Sequence, residues 1–113
     1  VDKETKQQYA IKIIDKKLVL RLNKLKYVKT ERDILGSCKH PNIVRLIQTF
    51  GSAPSEPSLH YVMELCPKGE LLAFIKKTKG FSEESARFYT AEIINALEYL
   101  HMKGIVHRDL KVC

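Results

Sequence analysis

Gln8-Tyr9-Ala10-Ile11-Lys12-Ile13-Ile14 is a run of β-branched and aromatic residues with one charge near its centre. It reads as a β-strand, preceded over residues 1–8 by the tail of another strand and a polar turn. Alternate side chains of a strand take opposite faces. Tyr9, Ile11 and Ile13 therefore share one face, and Ala10, Lys12 and Ile14 the other. Both faces are apolar apart from Lys12, a pattern that predicts a strand covered on both sides. A lysine in that setting either snorkels out to water or meets a specific anion.

The next element offers such an anion. Residues 26–38 read as a helix in which Tyr27, Val28, Ile34, Leu35 and Cys38 form one apolar stripe, with Glu31 near its middle. A carboxylate centred on a core-facing stripe is costly unless it is paired. Lys12 and Glu31 are two misplaced charges, and an ion pair between them answers both. The plainer alternative puts Glu31 at the border of the stripe.

Gly36 and Lys39-His40-Pro41-Asn42 end this helix, because proline disfavours helical backbone in the residue before it. His40 has no second histidine at metal-ligand spacing and reads as a turn residue. A second strand is expected over 43–50 and a Gly-, Ser- and Pro-containing loop over 51–58. A third strand follows over 59–65, then the connector Cys66-Pro67-Lys68-Gly69.

Beyond the connector, helices replace strands. Leu71, Leu72, Phe74 and Ile75 mark a short amphipathic helix over 70–77. Ser82 is an N-cap candidate for a longer helix reaching 103, with Glu83 and Glu84 at its positive end. The stripe of that helix is Ala86, Tyr89, Ile93, Ala96, Leu97 and Leu100, widened by Phe88, Ile94 and Tyr99. Such a broad apolar surface predicts packing on more than one side. Gly104 stops the helix.

A length of 113 residues limits the chain to one domain or parts of two lobes. At 44% hydrophobic residues the composition is globular. No run of about 18 apolar residues exists to make a membrane-spanning helix. Cys38, Cys66 and Cys113 are odd in number and lack metal-ligand spacing, which suits reduced thiols in the cytosol or nucleus. Much of the net charge of +7 lies in Lys16, Lys17, Arg21, Lys24, Lys26 and Lys29, interleaved with leucines. With no nucleic-acid-binding motif and few aromatics among these cations, they read as a solvated basic face. A start at Val1, without Met or a signal-peptide pattern, suggests a piece of a longer chain.

Several motifs stand in a telling order: Tyr9-Ala10-Ile11-Lys12, Glu31, His40-Pro41-Asn42-Ile43, Met63-Glu64-Leu65-Cys66 and Ile105-Val106-His107-Arg108-Asp109-Leu110-Lys111. The first matches the Val-Ala-Ile-Lys strand signature of protein kinases, and the last matches their His-Arg-Asp-Leu catalytic loop. Over essentially all its length the chain resembles a protein kinase catalytic domain, and Lys111 fits the serine/threonine type. Tyr27-Val28-Lys29-Thr30-Glu31-Arg32, Gly69-Glu70-Leu71-Leu72, Phe88 to Ile94 and Ala96 to His101 look like the 3-phosphoinositide-dependent protein kinases of the AGC group. The resemblance implies an α+β kinase fold in part: an antiparallel-sheet N-lobe with one helix over 1–65, a hinge at 66–69, and the first helices of the helical C-lobe over 70–113.

The resemblance also implies roles. Lys12 would hold the α- and β-phosphates of ATP, with Glu31 holding its ammonium in place. Ala10, Met63 and Glu64 to Cys66 would line the adenine site, and Glu70 would belong to the nucleotide-binding set. Asp109 would orient a substrate hydroxyl and accept its proton, and Lys111 would screen the transferred phosphate. Arg108 would engage a phosphorylated activation loop and His107 would pack in the core; a plain surface salt bridge is the alternative for Arg108 and Asp109. Kinases of this kind phosphorylate other AGC kinases and dock their hydrophobic, often phosphorylated tails beside the helix. The matching positions are Lys16, Val28, Arg32 and Thr49. No nucleic acid is implied, a cytoplasmic location is expected, and membrane contact would come only through domains not present here.

The pattern is broken at both ends. A glycine-rich loop would precede Val1, the Mg²⁺-binding Asn would fall one residue past Cys113, and Val112-Cys113 replaces the usual Pro-Glu. A frameshifted, spliced or mispredicted end is the expectation. Without both Mg²⁺ ligands the β- and γ-phosphates lack a metal clamp, so these residues alone are expected to transfer no phosphate. The alternative function is a non-catalytic module that docks or sequesters partners. Uncovered faces of the long helix predict poor solubility.

Overall fold

A computed structural model describes residues 1, 3–51 and 53–111. Val112 and Cys113, where the sequence leaves the kinase pattern, lie outside the described residues. Among the described residues three strands, β1 (Tyr9–Asp15), β2 (Leu46–Phe50) and β3 (Ser58–Glu64), make one antiparallel sheet in the order β1-β3-β2. Four helices accompany them there: α1 (Lys16–Arg21), α2 (Leu25–Ser37), α3 (Leu71–Lys77) and α4 (Glu83–Met102). The chain divides into two compact units, Val1–Lys39 with Ile43–Cys66, and His40–Asn42 with Pro67–Cys113.

In the first unit β3 is the central strand and carries the core: Tyr61 is 0% exposed and Val62 is buried beside it. The register sets Ala10 opposite Met63, Lys12 opposite Tyr61 and Ile14 opposite Leu59. Those six residues thus share the face on which α2 lies. On the opposite face Ile11 and Ile13 are 54% and 66% exposed, so the described residues do not cover β1 on both sides as its composition suggests. Apolar residues on a face show only that cover is tolerated there, not that another layer exists.

Asp15 closes β1 and opens α1 at once, its carboxylate accepting from the Leu18 backbone N–H at 3.0 Å. The sequence predicts no element over these residues, whose cations read only as part of a solvated basic face. The alternating leucines and cations of α1 carry no helical stripe long enough to be read. Asn23, at φ +52°, turns the chain out of α1 toward α2. Along α2, Val28, Glu31, Ile34, Leu35 and Cys38 are half-buried or buried, whereas Tyr27 of the expected stripe is 68% exposed. Tyr27 sits in the first turn, where the expected stripe runs off the end of the covered surface. The second strand begins at Leu46 rather than Ile43 and carries an irregularity between Leu46 and Gln48.

The second unit is helical. Ser82 caps α4, its hydroxyl accepting from the Ser85 N–H at 3.2 Å, with Glu83 and Glu84 in the first turn. Phe81 links the two helices by ring contacts to Phe74 and Tyr89, with centroids 5.8 and 4.9 Å away. His40 lies against Tyr99 at 5.0 Å, and the Asn42 amide donates to the Glu92 carboxylate. The His40-Pro41-Asn42 turn therefore packs on α4. Of the expected α4 stripe, Tyr89, Ala96 and Leu97 are half-buried and Leu100 buried. Phe88 and Ile94 are each 59% exposed, so among the described residues that part of the broad apolar surface is left uncovered, as the uncovered faces expected for this helix require.

Candidate functional site

Lys12 sits mid-strand in β1, and its side chain leaves the sheet on the α2 side. There Lys12 Nζ donates to Glu31 Oε1 at 2.6 Å, across nineteen residues of sequence. The ion pair expected from two misplaced charges is formed. Its setting differs from that expectation, because the side chains are 43% and 41% exposed. Exposure keeps solvent around both ions, so the pair needs no buried polar network to be tolerated.

Ala10 and Met63, cross-strand partners, are both half-buried beside it. Glu64 ends β3, its N–H donating to the Arg45 carbonyl at 2.9 Å, and its side chain is exposed. Cys66 is an exposed free thiol. Glu70 is the N-cap residue of α3 and makes no capping bond through its side chain.

The second unit holds the other set. Arg108 takes a left-handed backbone at φ +60°, a conformation uncommon for a residue with a long side chain. The Asp109 N–H donates to His107 Nδ1 at 3.3 Å, and the Asp109 carboxylate meets Lys111 Nζ at 3.2 Å. Asp109 and Lys111 are thus brought together, while Arg108 forms no ion pair among the described residues. His107 is exposed rather than packed in a core, since Val106 and Leu110 around it are also largely exposed. Among the described residues no cluster of His, Cys, Asp or Glu could hold a metal ion.

A groove of about 240 Å³ lies within the first unit, between α1, α2 and β3. Its apolar lining comes from Ile14, Val19, Leu20, Leu25, Val28 and Leu59, with Tyr61 and Pro54. Lys16, Lys29 and Arg32 bring three cations to it. Lys16 Nζ donates to the Ala53 carbonyl at 2.5 Å, and Arg32 is held by Asp33 at 2.7 Å. Of the residues expected in a docking site, Lys16, Val28 and Arg32 line the groove. Thr49 does not; it is half-buried in β2, opposite Tyr61. Val19, Leu20, Leu25 and Lys29 were not foreseen. Helical spacing from Leu25 to Val28 and Lys29 is the signal that finds the α2 residues; Val19 and Leu20 carry none, because α1 is too short to show a period.

Residues 1–112 match the protein kinase domain family. The chain belongs to that family. Among its relatives, 3-phosphoinositide-dependent protein kinase B of Dictyostelium discoideum is 51% identical over 111 residues, 98% of this chain and 12% of the relative. Human 3-phosphoinositide-dependent protein kinase 1 is 47% identical over 107 residues, covering 95% of this chain and 19% of the relative. The Arabidopsis thaliana kinase of the same name is 47% identical over 109 residues, 96% and 22% respectively. The kinase domain segment seen here thus spans about a fifth or less of the length of two of these relatives and little more of the third. Its three-stranded antiparallel sheet with α2 corresponds to the N-lobe of the kinase fold, and α3 and α4 to the first C-lobe helices.

Proposed function

We propose that this chain is part of an ATP-dependent serine/threonine kinase of the 3-phosphoinositide-dependent type, working in the cytoplasm on other AGC kinases. The observation that carries the reading is the 2.6 Å Lys12–Glu31 pair in a chain that matches the kinase family over 1–112. Phosphoryl transfer asks a protein chiefly to position groups and to neutralise charge. An ammonium held on β1 by a carboxylate of α2 is suited to the α- and β-phosphates of ATP. Ala10, Met63 and the backbone from Glu64 to Cys66 are the candidates for the adenine ring, with Glu70 at the edge of that set.

In the second unit, Asp109 is the candidate to orient a substrate hydroxyl and take its proton, with Lys111 beside it to balance phosphate charge. Arg108 would engage a phosphorylated segment. The described residues hold no carboxylate cluster fit for Mg²⁺. The groove with Lys16, Val28 and Arg32 suits a tail that is apolar with an acidic or phosphorylated flank.

A second reading, a docking module without catalysis, is favoured by one feature: the groove is built wholly from first-unit residues. The flanking coding sequence separates the two. A product extended to include a glycine-rich loop and an Asp-Phe-Gly segment, assayed with radiolabelled ATP and an activation-loop peptide, should transfer phosphate and lose it with Asp109→Asn. No transfer by that product would overturn the kinase reading, and a stop codon after Cys113 would support the docking module. The 113-residue chain alone is expected to transfer none.

A further inference from the structure

An ion pair as exposed as Lys12–Glu31 has little tendency to hold its own geometry, because water competes for both ions and two long side chains must be ordered. Some other contact has to set the distance between β1 and α2. Tyr61 is placed to do so. It is the only fully buried large side chain among the described residues, at 0% exposure. It stands directly opposite Lys12 in the β1–β3 register, on the same face of the sheet. Its hydroxyl donates to the Val28 carbonyl at 2.8 Å, across 33 residues of sequence. Val28 and Glu31 are i and i+3 on α2 and so share one side of that helix. Val28 closes the first turn of α2, so a bond to its carbonyl fixes the helix about one turn before Glu31.

We propose that Tyr61 is the positioning residue of the Lys12–Glu31 ion pair. The rigid ring spans the distance from the central strand to α2, and the hydroxyl locks the helix at the depth where Glu31 Oε1 reaches Lys12 Nζ. A buried hydroxyl left without its acceptor costs more than an exposed one, so the bond is strongly favoured once the ring is buried. Burial, followed by the nearby Glu31 carboxylate, raises the phenol above its ordinary value near 10; at neutral pH the hydroxyl is a donor with or without that shift. The purpose of a positioned pair rests on the kinase reading above; the existence of the positioning does not.

Competition labelling of the 113-residue chain with an amine acylating reagent, read lysine by lysine by mass spectrometry, tests this. Glu31→Gln should raise the acylation rate of Lys12 severalfold by freeing its ammonium. Tyr61→Phe, which keeps the ring and the groove lining, should raise it by a similar factor, and the double variant should add nothing further. Lys16, tied to the Ala53 carbonyl, is the internal control and should stay unchanged. A hydroxyl with only a structural role would lower the unfolding midpoint while leaving Lys12 protected in Tyr61→Phe; that result, or additive effects in the double variant, overturns the proposal.

If Tyr61→Phe does not fold, the unaltered chain decides by proton NMR. The Tyr61 hydroxyl proton should exchange slowly and shift in Glu31→Gln. Fast exchange while the β3 amides stay protected would defeat the proposal. All of these readouts concern an amine and a phenol, so failure to find phosphate transfer in an extended product leaves them unaffected.

Discussion

Lys12 Nζ and Glu31 Oε1 lie 2.6 Å apart although nineteen residues separate them and both side chains are more than two-fifths exposed. Close approach and exposure together define what this pair can do. It is a weak staple, since exposed pairs contribute about 0–1 kcal/mol, yet it presents a fixed ammonium to solvent and hence to a ligand. Glu31→Gln should therefore lower the unfolding free energy of the chain by less than about 1 kcal/mol. Chemical denaturation at low and high salt is the check, and the difference from the unaltered chain should shrink as salt screens the pair.

Gly51 is the glycine whose backbone demand is strictest. It has φ +83°, is buried, and a Cβ placed there would run into the Ser58 carbonyl oxygen and close on His60 Nδ1. Gly51→Ala should destabilise by about 3 kcal/mol through combined strain and clash. Gly69, at φ +74° with nothing near its Cβ position, should lose only about 1 kcal/mol on the same change. Paired urea titrations of the two variants test the contrast, and equal losses would count against the described turn at Gly51.

Ser82 satisfies an N–H at the start of α4. Ser82→Ala should cost about 1 kcal/mol, measured as loss of helical circular dichroism at lower denaturant. Ser82→Asp should restore most of it, because a carboxylate both accepts the bond and complements the helix dipole.

Alkaline pH should weaken the first unit through Tyr61. Its phenol is raised above the ordinary value by burial first and by Glu31 next, with Arg32 opposing. A group whose proton is held more tightly in the folded state gives its full contribution below the unfolded value of about 10. That contribution is lost as pH rises through the higher folded value. Unfolding midpoints followed from about pH 8 to about pH 11 should fall more steeply for the unaltered chain than for Tyr61→Phe. Coincident curves would show that Tyr61 is not the group responsible.

Phe88 and Ile94, each 59% exposed on α4, are apolar groups without cover among the described residues. Replacing them together by Glu and Lys should change stability by no more than about 0.5 kcal/mol per site while raising solubility, seen as a shift from aggregate to monomer in gel filtration. A large loss of stability instead would mean that both side chains pack against the rest of the unit.

Much was legible in the residues themselves because it depends on local chemistry and periodicity. The alternation around Lys12, the position of Glu31 in a 3.6-residue repeat, the Ser82 cap and the stops at His40-Pro41-Asn42 and Gly104 all follow from short-range rules. So does the ordered set of kinase motifs. For the elements found in both, the boundaries read this way fall within a few residues of those observed, Ile43 against Leu46 being the widest; the strand tail expected within 1–8 has no counterpart among the described residues.

What local pattern could not decide was which apolar faces find a partner. Ile11 and Ile13 look as coverable as Ile14, yet only Ile14 lies on the side where α2 packs and the groove forms. The short helix α1 was hidden because six residues show too little periodicity to separate a helix from a basic loop. Its cap at Asp15 and its packing against α2 select the helix. Tyr61 reads as one more strand aromatic; only the tertiary fold places its hydroxyl on the Val28 carbonyl, 33 residues away. Sequence alone therefore determined the family, the ion-pair residues and the Asp109–Lys111 motif. Tertiary structure decided how exposed that pair is, what holds it, and where the groove lies, because burial and long-range hydrogen bonds depend on which surfaces meet in space.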